Sequence, residues 1–256
     1  MDAQTLSAAM GGSVDQARYE QLVGPFNKAM RDADITNVNR AAMWCAQVGH
    51  ESSGLLYSEE IADGSEYEGR EDLGNTQPGD GPRFKGRGPI QLTGRNNYTQ
   101  CSQWGFEQGI LPSPTFFVDN PEAAASDEYL FVGSVYYWIV ARPNLNQLSD
   151  NQDLEGATQA INGGYNGLED RRARYQNCLN LGEALLPDNN EEEIDMATVE
   201  DINFKLDLIL DQMAGPEKDQ DGNPAWTGWS QLGRKTLIDA IADIRNRVLR
   251  WKMYVP

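Results

Sequence analysis

Glu51 and Glu60 are the residues whose type and spacing point most directly to chemistry. They lie in residues 43–60, a stretch with few other charges. Two carboxyl groups can cleave a glycosidic bond when they are about 5–5.5 Å apart, with retention of configuration, or about 6.5–9.5 Å apart, with inversion. We predict that Glu51 and Glu60 form such a catalytic pair. The alternative is that both of them, together with Glu59, are solvated surface charges, as most glutamates are.

The chain before Glu51 is predicted to form a helix that ends between the two carboxylates. Residues at the spacing of one helical face precede it: Ala41, Cys45 and Val48. Asn37 or Asn39 could cap its start. A helix continued to Glu60 would place the carboxylates roughly 13.5 Å apart on opposite faces, so the serines and glycines of residues 49–54 should end it. Glu51 would then lie beside buried apolar surface, which disfavours an ionised carboxylate.

Weaker signals predict the neighbouring elements. Residues 16–33 have a helical pattern that Gly24 and Pro25 are expected to break. Residues 63–83 are rich in Gly, Asp and Glu, which predicts an exposed loop, and a loop of that length inside a domain is usually functional. Residues 86–93 predict a short strand that is entered through a glycine-rich turn.

Further along, three more helices are expected. The first should begin at residues 119–121 and stop at Pro143, with its aromatic residues in the core. The second should follow Asp150 and end at a glycine cap, Gly163. The third should open at residues 170–171.

Three motifs stand out in the sequence. The first is GHESSG at residues 49–54, which Glu60 follows. The second is FKGRGPIQLTGRNNY at residues 84–98, and the third is AINGGYNGLEDR at residues 160–171. All three resemble motifs of glycoside hydrolase family 19. They occur in the order of the family, which includes plant and bacterial chitinases and lytic enzymes of bacteriophages. The chain is most similar to the phage members, over about residues 17–186.

The resemblance implies a fold and a set of site residues. The fold is mainly α-helical (α+β) and lysozyme-like, with a small β element beside the cleft. The mechanism is inverting: Glu51 protonates the glycosidic oxygen, and Glu60 takes a proton from attacking water that the Thr93 hydroxyl helps to hold. The residues implied to contact sugar or to lie near the carboxylates are Gln91, Thr93, Asn97, Asn162, Arg171 and Arg87.

Two of these implications are limited by the sequence itself. Arg87, between two glycines, could be purely architectural. Plant chitinases also carry a Glu shortly after their Asn-Gly-Gly motif, where this chain has Asn166. The charge network of the plant enzymes is therefore not transferred, although the Glu51 and Glu60 pair is.

The composition restricts the partners and cofactors. The net charge of -18, from 21 basic and 39 acidic residues, argues against nucleic acid and anionic membranes, which require clustered Lys and Arg. No apolar run approaches the length of a membrane span. The three cysteines, Cys45, Cys101 and Cys178, do not suit a disulfide framework. With a single His, a His/Cys zinc site lacks its usual ligands, and we expect no metal or other cofactor.

The C-terminal part has a different pattern. Residues 188–195 are polar and are predicted to link the catalytic domain, residues 1–187, to a region spanning residues 196–256. Apolar residues in that region recur at steps of three and four: Val199, Ile202, Leu206, Ile209 and Met213, then Leu237, Ile241, Ile244, Val248 and Trp251. They predict two antiparallel helices. We expect this region to form a homo-oligomer or dock on the catalytic domain, or else to bind the cell wall through its tryptophans.

The predicted function is that of a phage endolysin, which hydrolyses β-1,4 bonds of bacterial peptidoglycan and lyses the host. Residues 1–13 lack the features of a secretory signal, so we expect synthesis in the host cytoplasm and release to the cell wall at lysis. The alternatives are a chitinase acting on N-acetylglucosamine polymers and a non-catalytic wall-binding protein. Whether the enzyme is a muramidase or a glucosaminidase stays open.

Overall fold

Ten α-helices make up most of the part of the chain that the computed structural model describes, residues 1–187. They are α1 (Ala3–Met10), α2 (Gln16–Asp32), α3 (Val38–Glu51), α4 (Asp80–Arg83), α5 (Arg95–Glu107), α6 (Phe116–Asp119), α7 (Val132–Tyr136), α8 (Leu145–Asp150), α9 (Leu154–Asn162) and α10 (Leu168–Leu181). Four short 3₁₀ helices lie between or after them: Ser65–Tyr67, Glu71–Leu73, Pro121–Ala125 and Gly182–Leu185. The predicted mainly helical fold class is confirmed.

The chain divides into two units, Met1–Asp188 and Asn189–Pro256. The predicted linker and the predicted helical pair, residues 188–256, lie outside the described residues. Among the helices of the described unit, none is both long and apolar enough to cross a membrane.

Helix α3 is the central element of the described unit. Its nine residues from Ala41 to Gly49 are all buried, because the helix packs most extensively against α10 and also against α1 and α8. The Trp44 ring meets Trp138 edge-on with centroids 5.1 Å apart. Asn37 caps the helix, with its side chain accepting a hydrogen bond from the Arg40 amide at 3.0 Å, so that one of the two predicted caps is confirmed.

Helix α2 corrects the prediction of a break at Gly24 and Pro25. It runs without interruption from Gln16 to Asp32 with Pro25 inside. A proline in a helix interior costs about 3 kcal/mol. The helix buries a face of large side chains, Tyr19, Leu22, Phe26 and Met30, and each such burial contributes about 1.5–3 kcal/mol. Tertiary packing therefore outweighs the local signal.

The helix predicted between residues 119–121 and Pro143 is divided. A 3₁₀ helix, Pro121–Ala125, is separated from α7, and a π turn, Tyr137–Ala141, follows α7. The aromatic residues face the core as predicted, since Trp138 is 1% exposed. Helix α9 ends at Gly163 with φ 76°, the left-handed cap that the sequence predicts.

The predicted strand over residues 86–93 is wrong. Within the described residues this segment forms two isolated bridges, Glu59 with Arg87 and Arg87 with Leu92. The Arg87 amide donates to the Leu92 carbonyl at 3.1 Å, and the Leu92 amide donates back at 2.8 Å. The segment turns back on itself around Gly88, at φ 85°. Among the described residues, its backbone pairs with residues 58–60 through two hydrogen bonds, from the Gly88 amide to the Ser58 carbonyl at 2.7 Å and from the Glu60 amide to the Gly86 carbonyl at 3.0 Å, which is too little for a strand. The small β element is limited to these bridges.

Candidate active site

Glu51 is the last residue of α3, where the sequence predicts the helix to end. Ser52 caps the terminus, and its hydroxyl donates to the Val48 carbonyl at 2.7 Å. The next turn is strained, because Ser53 and Leu55 have φ of 52° and 69°, a region that costs non-glycine residues roughly 1–2 kcal/mol. Such strain persists only where surrounding contacts fix the backbone, and it is concentrated at functional sites.

A buried arginine holds the Glu51 carboxylate. Arg171, in α10, is fully buried, and its Nη2 donates to Glu51 Oε1 while its Nη1 donates to Gln47 Oε1. Its Nε donates to the Asn166 carbonyl at 3.3 Å. Sequence reasoning expected Glu51 to lie beside apolar surface. The contact with the charged guanidinium agrees with the position near the carboxylates that the resemblance implies for Arg171, and the Glu51 side chain is 26% exposed.

Gln47 completes this arrangement, and the sequence interpretation did not include it. It is fully buried one helical turn before Glu51. Its Nε2 donates to the Thr158 hydroxyl of α9 at 3.4 Å. The signal was present, because a residue four positions before Glu51 shares its face of the helix.

His50, in α3, contacts a carboxylate of α10. Its Nδ1 is 2.7 Å from Asp170 Oδ2, and Arg174 Nε donates to that same oxygen at 2.8 Å. Burial raises the pKa of Asp170, but the hydrogen bonds from His50 and Arg174 outweigh it and leave the pKa below its usual value. A Cβ on Gly167, where φ is 72°, would lie 2.1 Å from the His50 ring, which explains the glycine at this position of the third motif.

Glu60 is held by the glycine-rich turn and by a tyrosine. Its amide donates to the Gly86 carbonyl at 3.0 Å, and Lys85 Nζ donates to its carbonyl at 3.1 Å. The Tyr67 hydroxyl donates to Glu60 Oε2 at 3.0 Å. Within the described part of the chain, Oε1 is buried and has no hydrogen-bond partner. A buried carboxylate oxygen without a donor is costly, so this atom is an unsatisfied acceptor.

Tyr67 stays protonated as the donor in this pair. Burial, followed by the hydrogen bond to Glu60 and the charge of that carboxylate, raises the pKa of Tyr67 to about 12. A phenol with such a pKa donates to the carboxylate throughout the neutral range. Sequence reasoning missed Tyr67, because it lies in a loop without periodicity.

Gln91 lies beside Glu60, as the resemblance implies. A Cβ on Gly86 would be 2.5 Å from Gln91 Oε1 and 3.0 Å from Glu60 Oε2, so both side chains extend over this glycine. Asn97 is exposed in the first turn of α5, and its Nδ2 donates to the Thr93 carbonyl at 2.8 Å. No hydrogen bond joins the Thr93 hydroxyl to Glu60 within residues 1–187.

The remaining predicted site residues lie in different environments. Arg87 is 4% exposed, its Nη1 donates to the Arg83 carbonyl and the Tyr98 hydroxyl, and its Nε is 3.4 Å from a Glu59 oxygen. These contacts give Arg87 an architectural role. Asn162 is exposed at the end of α9. The turn before it is tied to Tyr137, whose hydroxyl donates to the Ile161 carbonyl at 3.0 Å.

Tyr137 is also close enough to Glu51 to be affected by its charge. Burial raises its pKa, Arg142 lowers it, and the Glu51 carboxylate raises it further. The charge of Glu51 therefore reaches the π turn. The predicted residues are thus divided between two groups, one around Glu51 on α3, α9 and α10, and one around Glu60 on the residues 58–98.

Two curated relatives support the nature of the site. A glycosyl hydrolase family 19 domain-containing protein of Haemophilus influenzae is 26% identical over 175 residues, which cover 56% of this chain and 80% of that protein. The basic endochitinase CHB4 of Brassica napus is 28% identical over 182 residues, covering 69% of this chain and 65% of that enzyme. The chain therefore spans just under two thirds of the endochitinase. These similarities support a chitinase-like glycoside hydrolase.

A family model matches a different part of the chain. The model described as the Rv3766 C-terminal domain matches residues 188–250. This match begins at the last residue of the first unit and covers most of the region for which the sequence predicts two helices. The roles predicted for that region, oligomerisation or wall binding, stay predictions.

Proposed function

We propose that this chain is an endolysin that hydrolyses β-1,4 bonds in the glycan strands of bacterial peptidoglycan by an inverting acid/base mechanism. The phage origin, the synthesis in the host cytoplasm and the release to the wall at lysis belong to the same proposal. It extends the coarser conclusion that the chain is a chitinase-like glycoside hydrolase.

One observation carries the proposal: the Glu60 carboxylate has one oxygen bound by Tyr67 and the other buried without a donor among residues 1–187. A general base needs an ionised oxygen aimed at a water molecule that it can hold within hydrogen-bond distance. Water bound at Oε1 would satisfy the buried acceptor. A carboxylate with a merely structural role would instead have both oxygens occupied by the protein.

Glu51 supplies the acid. Because Arg171 donates to Oε1, the proton for transfer is carried on Oε2. As the bond from the anomeric carbon to the bridging oxygen breaks, this proton moves to that oxygen and the leaving sugar departs as an alcohol. Water attacks the anomeric carbon from the opposite face and gives its proton to Glu60. Exchange with solvent then restores both carboxyl groups.

The choice of peptidoglycan rests on two supports. The first is the resemblance to phage lytic enzymes that the sequence analysis predicts for the chain as a whole. The second is that the cysteines of the described residues, Cys45, Cys101 and Cys178, are all free and buried, which suits synthesis in a reducing compartment. A second candidate is chitin hydrolysis, which the similarity to a basic endochitinase favours. Both substrates are β-1,4 chains of N-acetylated sugars.

The test is the release of reducing ends from purified peptidoglycan and from chitin oligomers, with mass spectrometry to identify the sugar at each new end. Glu51→Gln and Glu60→Gln should each lower kcat by roughly 10²–10⁴-fold. Glu107→Gln, an exposed glutamate at the end of α5, is the matched control and should be fully active.

The outcomes separate the candidates. Muramic-acid or glucosamine ends from peptidoglycan support the proposal and identify a muramidase or a glucosaminidase. Cleavage of chitin alone would replace the endolysin by a chitinase. Activity that survives both substitutions would overturn the acid/base assignment, and inactivity on both glycans would favour a non-catalytic wall-binding protein. If the enzyme inverts, NMR must show that the product formed first is the α anomer.

A further inference from the structure

We propose that Tyr67 is a positioning residue for Glu60 and that the ion pair between Asp80 and Arg95 holds the loop that carries it. We call this loop, residues 63–83, the Tyr67 loop. The inference rests on the proposed function, because it assigns the loop a role in aiming the base. Neither the three sequence motifs nor the two relatives assign a role to Tyr67 or Asp80.

The first step is the contact between Tyr67 and the base. The tyrosine hydroxyl donates to Glu60 Oε2 at 3.0 Å, while Oε1 has no partner among the residues described. One donor on one oxygen fixes the rotation of the carboxylate, so that the direction of the other oxygen is fixed as well. A phenol with a pKa of about 12 keeps its proton for this purpose.

The second step is the backbone of Tyr67. Asn75 is fully buried, and its Nδ2 donates to the Tyr67 carbonyl at 2.9 Å. Its Oδ1 accepts a hydrogen bond from the Arg95 amide, also at 2.9 Å. One side chain therefore joins the tyrosine to the first residue of α5.

The third step is the ion pair. Arg95 donates to both oxygens of Asp80, from Nε at 2.9 Å and from Nη2. Asp80 is 1% exposed and also accepts a hydrogen bond from the Gln77 amide at 3.0 Å. The guanidinium lies 4.6 Å over the Phe84 ring. A bidentate arginine pair restricts geometry more strongly than a single contact does, so this pair fixes the end of the loop against α5.

The loop has little apolar anchorage of its own. Its buried residues are Gly64, Asn75, Asp80 and Gly81. Glu68 joins the two ends of the loop, because its carboxylate accepts hydrogen bonds from the amides of Gly79 and Gly81 at 2.7 and 2.8 Å. Because the loop is held mainly by polar contacts, a substitution that removes one of these contacts should move Tyr67 without unfolding the helical core.

The experiment compares full-length variants on the glycan that the unmodified enzyme cleaves. Tyr67→Phe removes the donor and keeps the ring. We expect kcat to fall roughly tenfold, as for loss of a hydrogen bond to a charged group, with KM nearly unchanged. The acidic limb of the pH profile of kcat should move to higher pH, because the ionised base loses a donor. Tyr129→Phe, in an aromatic cluster with Phe116 and Phe117, is the control.

The ion pair is tested by Arg95→Lys, which keeps a charge but cannot make the two-oxygen contact. Arg18→Lys is a matched control, because Arg18 makes a bidentate pair with Asp127 on the surface, through two contacts of 2.6 Å. We expect Arg95→Lys to lower kcat and Arg18→Lys to leave it unchanged. If thermal denaturation shows that Arg95→Lys is not folded, Asn75→Ser is the second variant, because Asn75 joins the Tyr67 carbonyl to the Arg95 amide.

The double variant Tyr67→Phe/Arg95→Lys separates positioning from a general structural effect. If the ion pair acts through Tyr67, the double variant loses little more kcat than Tyr67→Phe alone. Losses that multiply would overturn the role of the ion pair, and an unchanged kcat and pH profile in Tyr67→Phe would overturn the role of the tyrosine. Both would leave the proposed function intact, provided that Glu60→Gln is inactive, whereas an active Glu60→Gln would overturn that function itself.

Discussion

Glu51 stands at the end of a helix that is buried on every side, whereas Glu60 stands in a segment held by a polar loop. Around the first, a fully buried arginine joins α3 and α10. Around the second, the contacts are a tyrosine hydroxyl, backbone hydrogen bonds and one ion pair at the base of the Tyr67 loop. The two carboxyl groups of the proposed reaction thus have different kinds of support.

The two kinds of support predict different relations between stability and activity. Contacts around Glu51 are part of the core, so their loss should lower the free energy of unfolding together with activity. Contacts around Glu60 lie in the low-stability part of the structure, where few apolar groups are buried and local opening costs little. Their loss should lower activity while the core remains folded.

The largest effect is expected at Arg171. Arg171→Met leaves the Gln47 and Glu51 oxygens without their donor, and breaking a buried pair in this way costs roughly 3–5 kcal/mol of unfolding free energy. Arg172→Met is the control, because the side chain of Arg172 is 51% exposed. Urea denaturation measures both. Equal stability of the two variants would mean that the Glu51 region is not part of the stabilising core.

Gln47→Leu tests the same region with a smaller change. It removes the acceptor of Arg171 Nη1 and should cost about 1–3 kcal/mol through an unsatisfied buried donor, with a parallel loss of kcat. Gln176→Leu, on the exposed face of α10, should have little effect on either quantity. A Gln47→Leu variant that is inactive at full stability would contradict the expected coupling.

Gly74 and Gly69 form a matched pair within the Tyr67 loop. Both have positive φ, 73° and 69°, but a Cβ on Gly74 would lie 2.2 Å from Asn96 Oδ1, while a Cβ on Gly69 meets no atom within 4 Å. Each alanine variant carries a backbone strain of about 1–2 kcal/mol. Only Gly74→Ala should also displace the loop from α5 and lower kcat. Similar kcat values in the two variants would show that this contact does not aim the base.

The smallest effect is a dependence of stability on pH at Asp80. The hydrogen bonds from Arg95 hold the pKa of Asp80 below its usual value. The stabilisation of the folded state by the ionised Asp80 carboxylate is therefore complete above the pKa of about 3.9 in the unfolded state. It is lost as the pH falls through the lower pKa of the folded state. The stability difference between the unmodified protein and Asp80→Asn should shrink when urea titrations are moved from pH 6 to pH 3.

A control for this pH effect is Asp72→Asn, because Asp72 pairs with Arg70 in the same loop but is largely exposed. The exposed pair should give no measurable difference at either pH. A stability difference for Asp80→Asn that stays constant with pH would mean that the ion pair contributes nothing through its charge.

More of the structure around Glu51 than around Glu60 could be predicted from the sequence. The face of α3, its cap at Asn37 and its end at Glu51 depend on neighbouring residues, and a local pattern records such contacts. The break predicted at Pro25 was wrong because the buried face of α2 is decided by residues that are distant in sequence. The local sequence likewise gave no sign of the contact between Glu51 and Arg171, which are 120 positions apart, and only the family resemblance implied that Arg171 lies near the carboxylates.

On the side of Glu60, the sequence carried less information. The strand predicted over residues 86–93 was wrong because Gly88 and Pro89 let the chain turn back, which composition alone does not distinguish from a strand. Tyr67 donates to a carboxylate seven positions earlier across an irregular loop, and such a contact has no periodicity. The local sequence left Glu60 as either a catalytic partner of Glu51 or a surface charge, and the family resemblance favoured the catalytic role.

The π turn at Tyr137–Ala141 has a consequence for insertions and deletions. A π turn accommodates one residue more than an α-helical turn, and each residue turns a helix by about 100°. Deletion of one residue here would restore regular α geometry and leave the residues after the turn in register, so that Arg142 could still donate to the Ala160 carbonyl, a contact of 2.8 Å in this structure. Homologues one residue shorter at this point should therefore keep the same contact with the end of α9.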